Sequence, residues 1–238
     1  MAPERNIVAI GGSEFRTEPL NPLLDDYLLG LTGKHRPRVC FVPTAGGDDA
    51  ASVRLFYDLF AGRAEATWLP LFNRGRVAPR DLLLEQDLIY VGGGNTANML
   101  AIWRLHGVDT TLREAWDRGI VLAGWSAGAI CWFESGVTDS FGPDLGPLDA
   151  MLGFLPGSFC PHYDAEERRR PTYERLVAEG RLPGGWAADD GASVHFAGDR
   201  VEAAVSSRPA ARAYRIEAKD GRATETALET RFLGRSRS

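Results

Sequence analysis

The sequence predicts an α/β protein with a mostly parallel sheet flanked by helices on both faces. Three observations carry the prediction. Short, near-continuous apolar runs alternate with helix-compatible segments from Asn6 to Ala123, the pattern of strands buried on both faces. Four of those runs end in small-residue loops: Gly11-Gly12, residues 44–47, Gly92-Gly93-Gly94-Asn95-Thr96 and Gly124-Trp125-Ser126-Ala127-Gly128. The last quarter changes character, to short β-like segments with turns at Gly198-Asp199 and Asp220-Gly221, which reads as an antiparallel extension completing the sheet.

The elements follow in order. A first strand spans residues 6–10. A helix over 20–31 follows Pro19. A second strand, 38–42, ends in Pro43-Thr44-Ala45-Gly46-Gly47, and Asp48 and Asp49 open a helix to about residue 61, where acids suit the positive helix end. A third strand covers 64–69 and a fourth 87–91. Helices over 96–105 and 108–118 lead to the apolar run Gly119-Ile120-Val121-Leu122-Ala123. The late strands are 192–196, 200–206, 213–218 and 223–228. Residues 1–230 read as a single domain and 231–238 as a frayed basic tail.

Composition narrows the function classes. The 238 residues are 44% hydrophobic and 25% charged, enough to bury a sizeable core. A net charge of -5 argues against nucleic acid as a partner. No apolar stretch approaches the roughly 20 residues a membrane span needs, so no membrane partner is expected. Met1-Ala2-Pro3-Glu4-Arg5 has neither the basic nor the apolar region of a signal peptide, and a cytoplasmic protein is expected. Cys40, Cys131 and Cys160 lack metal-ligand spacing and read as free thiols; neither metal nor cofactor is expected. A homodimer is left open.

The segment 124–128 has the spacing of a nucleophile elbow. A strand, a sharp turn carrying Ser126 and a helix over 127–132 would push the serine hydroxyl above the sheet edge, with Gly124 and Gly128 giving room for the turn. A serine nucleophile needs a base, and the chain has four histidines. His35 lies in a polar turn, His106 beside a helix end and His195 inside a short late strand. His162, in Cys160-Pro161-His162-Tyr163-Asp164, stands at a strand-to-loop junction after the nucleophile, where a base belongs. Candidate acids between Ser126 and His162 are Glu134, Asp139, Asp144 and Asp149. Asp139, in a polar turn after the elbow helix, is favoured, with Glu134 next. Asp189 and Asp190 approach from the other side. An oxyanion needs two donors: the N–H of Ala127 is one, and Gly93 or Gly94 supplies the other. Gly92-Gly93-Gly94 lacks the spacing and lysine of a phosphate-binding loop. Cys131 reads as core. In Glu166-Glu167-Arg168-Arg169-Arg170, one arginine facing the cleft would bind a carboxylate, while most such runs are solvated.

Gly92-Gly93-Gly94-Asn95-Thr96, Gly124-Trp125-Ser126-Ala127-Gly128-Ala129 and Pro161-His162-Tyr163 together resemble peptidase E, the aspartyl dipeptidase family that includes cyanophycinases. The resemblance covers roughly residues 6 to 218. It implies a class I glutamine-amidotransferase-like fold with serine as nucleophile in place of cysteine. It implies Ser126 as nucleophile, His162 as base, Asp139 as the acid, and Gly94 and Ala127 as the oxyanion hole. Asn95 and Arg169 would bind substrate, Arg169 holding an N-terminal aspartate. The segment 164–171 and Ala188-Asp189-Asp190-Gly191-Ala192 depart from the aspartyl dipeptidase pattern. The expected activity is that of a serine peptidase hydrolysing short peptides through an acyl-enzyme, with an N-terminal aspartate preference. The rivals are a cyanophycinase-like isopeptide hydrolase and a non-catalytic binding module of the same fold.

Overall fold

A computed structural model describes residues 3–12, 21–73 and 75–234. Apolar runs with β-branched or aromatic residues become the first strands: β1 (Asn6–Ile10), followed by helix α1 (Leu23–Leu31), then β2 (Arg38–Val42). A 3₁₀ turn, Thr44–Gly46, leads to α2 (Ala50–Phe60), whose first turn is capped by Asp49 accepting the Ser52 N–H at 2.9 Å. Then come β3 (Glu65–Trp68), α3 (Pro79–Leu84) and β4 (Leu88–Val91). Asn95 caps α4 (Thr96–His106) by accepting the Asn98 N–H, and left-handed Gly107 ends it and starts α5 (Val108–Asp117). The elbow is β5 (Val121–Trp125) and α6 (Ala127–Ile130). Beyond it lie β6 (Phe133–Thr138), β7 (Gly146–Leu148), β8 (Leu155–Cys160), α7 (Arg169–Ala178), β9 (Gly185–Ala188), β10 (Ala192–Ala197), β11 (Arg200–Ser206), β12 (Ala213–Lys219), β13 (Arg222–Ala227) and β14 (Thr230–Phe232).

These strands form two sheets. The larger has the order β14-β11-β10-β1-β5-β4-β2-β3. Its β1, β5, β4, β2 and β3 are parallel, and β10 is antiparallel to β1. Side chains alternate along β1, as the pleat requires. Ile7 and Ala9 face a core with Met99, Trp103, Leu112 and Trp116 of α4 and α5. Val8 and Ile10 face a second core with Leu24, Leu28, Phe56 and Phe60 of α1 and α2. Helices thus cover both faces, as expected. The smaller sheet runs β13-β12-β9-β8-β6-β7. One side of it packs Phe133, Phe159 and Leu155 into the first core; on the other, Tyr173, Leu176 and Val177 of α7 meet Val137, Cys160 and Ala187.

Several details differ from the sequence reading. The expected extension of a single sheet is divided: β10 and β11 join the large sheet, while β12 and β13 join β9 of the small one. The elbow helix, expected to residue 132, is one turn long, because Phe133 turns away to pair with Leu155 of β8. The tail expected to fray from residue 231 begins as a strand, with Thr230, Arg231 and Phe232 paired to Ala204, Val205 and Ser206. Residues 235–238 lie outside the described residues, as does Leu20, where the first helix was expected to begin. No helix among the described residues is long and apolar enough to cross a membrane.

Candidate active site

The site is organised by the carbonyls of the last residue of β1 and of the two residues that follow it. Ile10 O accepts the Ser126 N–H at 3.2 Å, Gly11 O accepts the His162 N–H at 3.3 Å, and Gly12 O accepts the Gly191 N–H at 3.0 Å. Gly12 also forms an isolated parallel bridge to Asp190. Three loops distant in sequence therefore meet at consecutive residues, at the carboxyl edge of the parallel strands where such sheets bind ligands.

Small residues make this convergence possible. A Cβ on Gly11 would stand 2.3 Å from the carbonyl oxygens of Ala188 and Asp189. One on Gly12 would stand 1.8 Å from Oδ1 of Asp190 and 2.7 Å from Nδ1 of His162. The two elbow glycines obey the same constraint: a Cβ on Gly124 would lie 2.4 Å from Gly128 O, and one on Gly128 2.4 Å from Val91 O.

Ser126 has φ 54° and ψ -117°, and His162 has φ 53°. Side chains rarely adopt such angles, and each costs on the order of 1–3 kcal/mol, retained where surrounding structure enforces it. Trp125 anchors the elbow from behind. Its ring stacks on Phe41 at 5.7 Å and meets Tyr90 edge-on at 5.0 Å.

His162 Nδ1 lies 2.7 Å from Oδ1 of Asp190. A carboxylate only accepts, so Nδ1–H donates and Nε2 is the basic nitrogen. Asp190 is itself held: its N–H donates to Oδ1 of Asp164 at 2.8 Å, and the other oxygen of Asp164 takes the Arg208 guanidinium. The neighbouring Asp189 plays a scaffold part. It is 4% exposed and accepts the Arg212 N–H at 2.8 Å; burial pushes its carboxyl above the usual range.

The expectation that Asp139 orients His162 is not met by the geometry. β6 carries residues 133–138 away from the elbow, and Asp139 ends 3.9 Å from Nη2 of Arg169, with its side chain 57% exposed. Glu134, the next choice, accepts the Gly157 N–H at 2.9 Å. Arg169, expected to hold substrate, is 3% exposed and turned inward: Nε donates to Glu166 at 2.6 Å and Nη1 to Val137 O at 3.0 Å. Asn95 also serves the framework. Its Oδ1 caps α4, and its Nδ2 donates to Ser140 O at 2.9 Å, tying down the loop that carries Asp139.

Of the remaining expected residues, Ala127 follows the serine directly and Gly94 belongs to the turn beside it. Ala127 is the first residue of α6, so its N–H has no acceptor within the helix. A Cβ on Gly93 would come 3.2 Å from Cβ of Ser126, which puts the 92–94 turn alongside that serine. Gly94 has φ 139°, and a Cβ there would strike Ala45 O at 2.2 Å, so only glycine fits.

One other histidine, His195, and the cysteines are buried away from this contact. His195 is buried between Tyr27 Oη at 2.8 Å and Asn6 Oδ1 at 2.9 Å, and burial lowers its proton affinity. Burial pushes the Cys131 thiol well up and Cys160 up to about 12, leaving both as poor nucleophiles. Among the described residues no group of three His, Cys, Asp or Glu side chains is placed to hold a metal ion.

In sequence Asp190 is one of two acids that approach from the other side, behind Asp139 and Glu134 as the favoured choices. The one sequence signal pointing to it is its position, with Gly191, directly before a late strand.

YgaJ of Bacillus subtilis (strain 168), described as an uncharacterized peptidase, is 48% identical over 231 residues, covering 97% of this chain and all of that one. Peptidase E of Actinobacillus pleuropneumoniae serotype 7 (strain AP76) is 26% identical over 216 residues, 83% of this chain and 88% of its own. The crystal structure of a peptidase from an acI-B1 actinobacterium superposes with a TM-score of 0.71 at 16% identity, over 95% of each chain, which shows the shared fold. The model of peptidase family S51 matches residues 7–204, and the chain belongs to that family of peptidases.

Proposed function

We propose that this peptidase is a serine hydrolase of short peptides with Ser126, His162 and Asp190 as its triad. The observation that carries the reading is the 2.7 Å contact of His162 Nδ1 with Asp190, made at the same end of β1 that holds the Ser126 N–H. In this mechanism the Ser126 hydroxyl attacks the scissile carbonyl and His162 Nε2 takes its proton. Asp190 holds the imidazole in the required tautomer and stabilises the imidazolium. The N–H groups of Ala127 and Gly94 stabilise the oxyanion, Gly94 because its peptide directly follows Gly93 beside Ser126. His162 then protonates the leaving amine, and water attacks the acyl-enzyme by the reverse sequence. The N-terminal aspartate preference stays part of the proposal, with a group other than the buried Arg169 as its anchor. The buried free thiols fit a reducing, cytoplasmic setting.

The test is hydrolysis of a panel of N-terminal aspartyl and non-aspartyl dipeptide amides by wild type and Ser126→Ala. Cleavage that disappears in the variant supports the serine mechanism, and cleavage confined to the aspartyl members supports the preference. Wild-type turnover by Ser126→Ala would refute the mechanism.

A further inference from the structure

Asp164 lies two residues after His162 and is absent from the mechanism above, yet it reaches the acid loop. Its Oδ1 accepts the Asp190 N–H at 2.8 Å, while the Asp190 side chain holds the His162 ring at 2.7 Å. The base loop and the acid loop thus grip each other twice, once through each aspartate. The second oxygen of Asp164 takes the guanidinium of Arg208. Arg208 follows Ser207, whose N–H and hydroxyl both reach Gly191 O, at 2.8 and 3.2 Å. Residues 207–208 therefore hold the acid loop directly at Gly191 and through Asp164 at Asp190.

We propose that Asp164 is a positioning residue for the reaction, setting the backbone of Asp190 so that its carboxylate meets His162, and that Arg208 fixes Asp164 in that task. The proposal rests on the triad reading. Three features support it. The Asp164 side chain is 35% exposed, yet each of its oxygens is engaged by a different loop. A carboxylate that accepts a backbone N–H and an arginine together makes charge-assisted bonds, the stronger kind. The geometry of a catalytic group is sensitive to shifts of its support.

The experiment uses the full chain and a fluorophosphonate probe, so it requires no knowledge of the substrate. Ser126 Oγ forms the bond to phosphorus, fluoride leaves, and the hydroxyl proton passes to His162. The maximal labelling rate and the half-saturating probe concentration are measured for wild type, Asp164→Ala, Asp164→Asn, Asp190→Ala and the Asp164→Ala/Asp190→Ala pair.

Asp164→Ala should slow maximal labelling about tenfold with little change in half-saturation. Asn at position 164 keeps an acceptor for the Asp190 N–H and should restore most of the rate. In the Asp190→Ala background, Asp164→Ala should change the rate by less than about twofold, because its effect passes through a side chain no longer present. A loss of equal size in both backgrounds, or no loss in either, overturns the proposal. Wild-type labelling by Asp190→Ala would sink the triad reading and this inference together, whereas slow Asp190→Ala with fast Asp164→Ala sinks the inference alone. If Asp164→Ala fails to fold, Arg208→Met carries the same comparison: a loss that vanishes in the Asp190→Ala background supports the proposal, and a persistent or absent loss overturns it.

Discussion

His162 Nδ1 and Asp190 Oδ1 are 2.7 Å apart, although 28 positions of sequence separate the two residues. Between them lie α7 and β9, and the chain returns to the site because β10, which follows Asp190, pairs antiparallel with β1. Replacing Asp190 by Asn should leave the contact distance but favour the wrong tautomer of His162, lowering kcat on the order of 10³- to 10⁴-fold. Asp139→Asn should change kcat by less than about threefold, as expected of an exposed group outside the site. Steady-state kinetics on the best dipeptide of the panel checks both; the reverse order of effects would return the acid role to Asp139.

Gly12 is the contact point of that pair. Gly12→Ala would push a methyl into Asp190 Oδ1 and His162 Nδ1, so kcat should fall about 10²-fold or more. Gly11→Ala meets backbone carbonyls instead, which cannot rotate away, and should cost on the order of 1–3 kcal/mol of stability. Thermal unfolding beside kinetics separates the two: Gly12→Ala should fail mainly in turnover, Gly11→Ala mainly in Tm.

The strained backbone at Ser126 predicts that two inactive variants differ in stability. Ser126→Gly accepts φ 54° without a Cβ and should be about 1 kcal/mol more stable than Ser126→Ala, which keeps the strain. Both should lose on the order of 10⁴-fold or more in kcat. Calorimetry that finds the glycine variant less stable than the alanine variant would show that the elbow conformation carries no strain.

Arg169 should behave as a framework residue. Arg169→Met leaves Val137 O without its donor and Glu166 without its partner, and should cost about 1–3 kcal/mol, the lower end if water reaches Glu166. KM for aspartyl and non-aspartyl peptides should change alike. A selective rise in KM for aspartyl peptides would restore Arg169 as their anchor.

Asp25 gives the fold a pH dependence. It is 7% exposed beneath Tyr90, and burial pushes its carboxyl up to about 7, from an ordinary value of 3.8. Because the folded state holds this proton more tightly than the unfolded chain, its contribution to stability is full at low pH and is lost as pH rises toward 7. Asp25→Asn removes that dependence. Between about pH 5 and 8 the Tm of wild type should fall more steeply than that of the variant, and parallel curves would show that Asp25 does not titrate as buried groups do.

Local pattern was enough for much of the scaffold. The apolar runs of β1 and β2 were legible to the residue, because a strand buried on both faces declares itself by composition. The N-cap at Asp49 follows from residue types that satisfy free helix N–H groups. The elbow was legible from glycine spacing, since Gly124 and Gly128 sit where any side chain would strike backbone. These are short-range constraints, and they place Ser126 and His162 at strand ends by themselves.

What the chain's local patterns do not contain is which distant strand lies beside which. Asn6 pairs with Ala197, and Arg231 of the expected tail pairs with Val205. Strand pairing is made of backbone hydrogen bonds, which are the same for every residue but proline, so partners carry little mark of each other in sequence. The sequence by itself determined the α/β class, the elbow and the two residues at its strand ends. Only the tertiary structure, by laying β10 against β1, decided that Asp190 rather than Asp139 meets His162 and that Arg169 turns into the protein.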